Sequence, residues 1–244
     1  NVTITGGPIT VAGTLSVTGT TTLTAGGAVA VNAGVTSSGN VEITATDAAA
    51  AGQDIDIAAG VTVQSTGGSI TIDAGDDFST AAGSVLNVST TITVNIDSGD
   101  ADSATGATAD LAGTFTSGSG ATVNSAGDND TFNVTATTAA TLTGAAGDDT
   151  FNISANVGGT IDGGADDDVL DGGNDDDILR GSNLIPLVTA GLIWGVTFSL
   201  AKIAAEASAH PIGLTLWQCA IGLAILGAFC LSRRIPLDLS GRGL

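Results

Sequence analysis

GDNDTFNVTATTAATLTGAAGDDTFNISANVGGTIDGGADDDVLD, residues 127–171, carries one short phrase three times. Phe132, Phe151 and Leu170 stand 19 residues apart, and Asp130, Asp149 and Asp168 precede them at the same interval. Leu179, with Asp177 before it, follows Leu170 after only nine residues. A 19-residue coil built from two half-turns of about nine residues gives both intervals. Such a coil stacks the turns 125–130, 144–149 and 163–168 on one side and puts Asp177 on the other, against 156–161.

Upstream the same logic holds with looser spacing. Along residues 1–97, two or three β-branched residues or leucines alternate with small polar ones and then meet a Gly or Asp. Examples are VTIT at 2, LSVTG at 15, VAVNAG at 29, VEITA at 41, SITIDAG at 69 and ITVNIDSG at 92. Alternation with a period of two marks short strands with one buried face, and the Gly, Asn and Asp between them supply turns. Helix-forming runs are scarce, and no Pro occurs between Pro8 and Pro186. Many very short strands suit stacked coils that bury each other's Val, Ile and Leu. The fold read from 1–181 is all-β, a parallel β-solenoid (β-helix or β-roll), with a β-strand repeat solenoid over 1–124 and β-roll repeats over 125–181. The irregular spacing before residue 125 also admits an ordinary β-sandwich. Few aromatics and 36 Gly would suit disorder, but disorder does not require regularly spaced apolar residues.

Charge divides the chain at one point. Residues 1–182 carry 23 Asp and Glu against one Arg, a net of −22, whereas 183–244 carry two acids against four Lys and Arg, a net of +2. An acidic segment of this size repels nucleic acid and anionic membrane surfaces and attracts cations. Twelve Asp fall between 128 and 177 with no Lys or Arg among them. Stacked like charges repel unless a cation sits among them, so these aspartates read as ligands rather than solvated turn residues.

GGADDDVLD (163–171) and GGNDDDILR (172–180) resemble the nonapeptide of the repeats-in-toxin calcium-binding family, G-G-x-G-x-D-x-U-x with U a large apolar residue. Both match at the leading glycines, the Asp and the apolar anchor, and both depart at the fourth position, where Asp166 and Asp175 replace Gly. GAAGDDTFN (144–152) keeps that Gly147 but has Ala145 in second place, and the copy ending at Phe132 is degenerate. The region before 125 is loosely similar, mostly in composition, to the β-strand repeats of filamentous-haemagglutinin-type surface proteins. The resemblance implies Ca²⁺ between turns stacked on one side of the roll. Glycines permit left-handed and tight backbone that turns carbonyls to one point, and Ca²⁺ takes six to eight oxygens in a flexible shell. The implied ligand set is Gly144, Gly147, Asp149, Gly163, Gly164, Asp166, Asp168, Gly172, Gly173, Asp175, Asp177 and Asp130. One site is expected between Asp149 and Asp168, a weaker one between Asp130 and Asp149, and a half-site without a partner at Asp177.

The remaining residues read as membrane. Residues 184–205 contain a single charge, Lys202, and 211–231 contain none. Each run can cross about 30 Å of hydrocarbon, and EASAH (206–210) joins them as a two-helix transmembrane hairpin within 184–244. Trp194–Gly195, Pro211 and Arg233–Arg234 followed by Ile235–Pro236 make this part similar to the first two helices of EamA-type drug/metabolite transporters. Intact members carry further helices, so two helices form no transport pathway alone, and Gln218 stands near where the family often has an Arg. The alternative reading of the chain is accordingly a fragment of a small-metabolite transporter with an unrelated N-terminal segment. Arg233 and Arg234 place the C-terminus, and after two crossings Ser182, in the cytoplasm. Calcium repeats belong outside the cell, extracellular or at the surface. The two halves thus disagree in location, and the expectation is that two unrelated coding sequences meet near Gly181–Asn183.

Cys219 and Cys230 lie about 16 Å apart along a helix, too far for a disulfide. The chain has no Met, even at position 1, which reads as a fragment or processed product. Its one His lies in the hairpin loop and no metal-hydrolase or Ser/His/Asp set occurs, so no enzyme is expected.

Overall fold

The computed structural model describes residues 1–99, 101, 105–136, 140–155, 159–171 and 178–180. The hairpin read over 184–244 lies outside the described residues, and among the described ones no helix is long and apolar enough to cross a membrane.

Val2–Gly6, Ile9–Val11 and Leu15–Val17 form the three sides of the first coil, and Thr21–Ala25, Val29–Val31 and Val35–Ser37 those of the second. Each strand pairs in parallel with the same side of the next coil: Val2 with Thr21, Ile9 with Val29, Leu15 with Val35. Among the described residues three sheets of nine, eight and five strands result. Parallel pairing between successive coils selects the solenoid over the sandwich, whose sheets are antiparallel.

The alternation decides which side chains point in. In TTLTA (21–25), Thr21, Leu23 and Ala25 are buried while Thr22 and Thr24 are half-buried. In-register pairing stacks the inward residues of the first sheet into one aliphatic column. Leu23, Ile43, Ile72, Val94, Val123, Leu142 and Ile161 are all fully buried. Each contributes ~1.5–3 kcal/mol of burial. On the second sheet Ala109 pairs with Phe78 on one side and Phe132 on the other, so a small residue fits between two rings. Phe132 and Phe151 then stack ring on ring, with centroids 4.6 Å apart and planes 5° from parallel.

The third sheet stops at Thr114–Ser117. The segment 112–119 holds that strand and its corners, whereas only five residues separate Thr131–Val134 from Ala140–Thr143. From Gly120–Asn124 onward the described strands fall on two sheets. This is also where the repeat settles: side-chain ladders there step 19 residues per coil, against 20, 29, 23 and 31 upstream. Longer coils carry their extra residues at corners such as 46–54. Ile178–Arg180 pairs with Thr160–Asp162, so the nine-residue step does move the chain to the opposite sheet from Val169–Asp171.

Candidate metal centre

The turns 125–130, 144–149 and 163–168 all lead from a strand of the first sheet into a strand of the second, and they stack. Ala146 and Ala165 form a parallel bridge, Ala165 N donates to Ala145 O at 2.8 Å, and Gly144 N donates to Asp162 O at 2.9 Å. On the outer side Asp148 N donates to Asn129 Oδ1 and Asp167 N to Asp148 Oδ1, each at 2.9 Å.

The inner side is a ladder of carboxylates. Asp130 Oδ1 accepts from Ala107 N at 2.6 Å, Asp149 Oδ1 from Asp130 N at 2.8 Å, and Asp168 Oδ1 from Asp149 N at 3.2 Å. Each aspartate thus spends one oxygen pinning the coil before it. The second oxygen, Oδ2, of Asp149 and of Asp168 is buried with no hydrogen-bond partner, as is Asp128 Oδ2. A charged oxygen buried without compensation is unfavourable, so the group resists ionising. Burial first, then the Asp130, Asp168 and Asp148 charges, push the fully buried Asp149 carboxyl up to about 7, against the opposing hydrogen bond from Asp130 N. Asp168 is likewise raised, by burial and then by Asp148, Asp166 and Asp162.

The glycines divide into two roles. Gly147 (φ 119°) and Gly164 (φ 93°) are left-handed, as the motif requires. Ala145 (φ 70°) and Asp166 (φ 73°) occupy two of the places where the chain departs from Gly, and both keep the left-handed turn. Strain of roughly 1–2 kcal/mol is held at each. Gly144 and Gly163 have ordinary φ. They are Gly because of space: a Cβ on Gly144 would collide with Asp149 Oδ2 and lie 2.6 Å from Gly163 O, and one on Gly163 would collide with Asp168 Oδ2. The first motif glycine makes room for the carboxylate of its own turn.

Asp130, Gly144, Gly147, Asp149, Gly163, Gly164, Asp166 and Asp168 are therefore brought to one corner, whereas Gly172, Gly173, Asp175 and Asp177 lie outside the described residues. Among the described residues no three His, Cys, Asp or Glu side chains group to hold a metal. A cation in these turns would take one or two carboxylates and complete its shell from main-chain carbonyls. The donor set suits such an ion, because the unpartnered oxygens only accept and no Lys, Arg or His precedes Arg180.

The corner extends further toward the N-terminus than the motif does. Ile55, Phe78, Ala109 and Phe132 are in register, and two residues before them stand Gln53, Asp76, Ala107 and Asp130. Gln53 N donates to Asp76 Oδ2 at 3.0 Å, the same contact that joins the later coils. The sequence signal is an Asp two residues before a Phe, in Asp76–Phe78 as in Asp130–Phe132 and Asp149–Phe151. Comparison of the chain with protein-family models, with curated proteins and with solved structures gives no match.

Proposed function

We propose that this β-solenoid is a calcium-stabilised repetitive segment of a secreted or cell-surface protein, spanning distance and presenting surface as an adhesin does. The observation that carries the reading is the pair of buried, unpartnered Oδ2 atoms of Asp149 and Asp168 on successive coils. Asp149 and Asp168 would hold the ion together with main-chain carbonyls of the stacked turns, with Asp130 continuing the column. Bound Ca²⁺ would neutralise carboxylates that otherwise repel along the corner. Calcium modules of the extracellular kind bind at about 10⁻⁴–10⁻³ M, so such coils gain stability outside the cell. The partners in this reading are calcium ions and, through 184–231, a membrane. It assigns no catalysis.

Protease added to intact cells that produce the full chain tests the location. A broad-specificity protease is needed, because residues 1–179 contain no Lys or Arg. Cleavage within 1–181 is expected from outside, faster with chelator than with millimolar Ca²⁺. Protection in intact cells combined with cleavage in lysed ones would overturn the surface assignment and favour the inward topology read from Arg233 and Arg234.

A further inference from the structure

We propose a second cation site in the three-sided part of the solenoid, formed by Asp47 and Gln53 and taking a hard divalent ion such as Ca²⁺. It lies outside the repeats that resemble the toxin motif and does not depend on the turn sites.

Three successive coils meet there. Asp47 Oδ2 accepts from Ala101 N at 2.7 Å, two coils on, across the tight corner of the coil between. That corner is Gly75, where a Cβ would lie 2.7 Å from Asp47 Cα and 2.8 Å from Gln53 Cβ, so both residues pack against its bare backbone. Gly99 closes the far side, where a Cβ would stand 2.5 Å from Asp47 Oδ2. Asp97, from the same turn as Gly99, is 1% exposed, and its N donates to Asp76 O at 3.3 Å.

Gln53 lies at the same corner. It is 7% exposed, and its Oε1 is buried with no hydrogen-bond partner, as is Asp47 Oδ1. A carboxylate oxygen and an amide oxygen can only accept. Asp76 brings another carboxylate to the same corner, where its Oδ2 is held by Gly52 N and Gln53 N. No Lys, Arg or His lies anywhere in 1–179 to donate. Buried oxygens of this kind are matched by a cation with oxygen preference, and Ca²⁺ tolerates an irregular shell completed by carbonyls and water.

Hydrogen exchange of the full chain, with chelator and with millimolar Ca²⁺, reads both sites separately. Peptides covering 46–54 and 97–99 are expected to exchange about tenfold more slowly with Ca²⁺. This should persist in Asp149→Asn/Asp168→Asn, where the response at 144–168 is lost. Asp47→Asn keeps an oxygen for Ala101 N but removes the charge, and should abolish the response at 46–54 alone; Gln53→Met should weaken it. Unchanged exchange at 46–54 in the parent chain would overturn the site and leave ordered water as the partner, whatever happens at 144–168.

Discussion

At pH 8 without divalent cations, Asp149→Asn is expected to be more stable than the parent chain, and millimolar Ca²⁺ is expected to reverse that order. The folded carboxyl sits at about 7 against an ordinary 3.8, so the folded state holds its proton more tightly than the unfolded chain does. The stabilisation from this group is complete below pH 3.8 and is lost as pH rises through about 7. By pH 8 the loss is on the order of 2–4 kcal/mol. An asparagine keeps the acceptor for Asp130 N and never ionises, so it escapes the loss. It also removes the charge a cation needs. Melting curves of both chains at pH 5 and pH 8, with chelator and with Ca²⁺, give the four comparisons. A parent chain more stable at pH 8 than at pH 5 in chelator would contradict the burial argument for Asp149.

Phe151→Ala should destabilise the two-sided coils by ~3–5 kcal/mol, a fall in melting temperature of roughly 10 °C. Phe151 is fully buried, stacks on Phe132 at 4.6 Å, and pairs in register with Leu170 on the other side. The solenoid cannot close the cavity from elsewhere, because the flanking residues are fixed by ladders on both neighbouring coils. Phe151→Leu should cost far less, as most of the volume stays. A loss below ~1 kcal/mol on chemical denaturation of Phe151→Ala would mean that these rings do not form the core.

Much of this architecture was legible in particular residues. Alternation in VAVNAG and VEITA fixed which side chains point inward, and the 19-residue step of Asp130, Asp149 and Asp168 placed three turns on one corner. The number of sides was not legible, because an inward–outward alternation reads the same in a two-sided or three-sided coil. What decides it is the shortness of 135–139, which shows only once Ala140 is known to pair with Ala121. Coil lengths upstream were hidden for a related reason: extra residues at 46–54 sit in a corner and leave the strand pattern untouched. The reason for Gly at 144 and 163 was hidden, since sequence does not show that a carboxylate packs where a Cβ would be. Asp47 and Gln53 carry no motif, and only the stacking of three coils brings them together.

The most direct test of calcium in the turns is hydrogen exchange at 144–149 and 163–168 of the full chain, with millimolar Ca²⁺ against chelator. Bound calcium predicts that both turns slow together by about tenfold in the parent and not in Asp149→Asn/Asp168→Asn. Equal rates in the two conditions would contradict the account and leave Asp149 and Asp168 as links between coils alone.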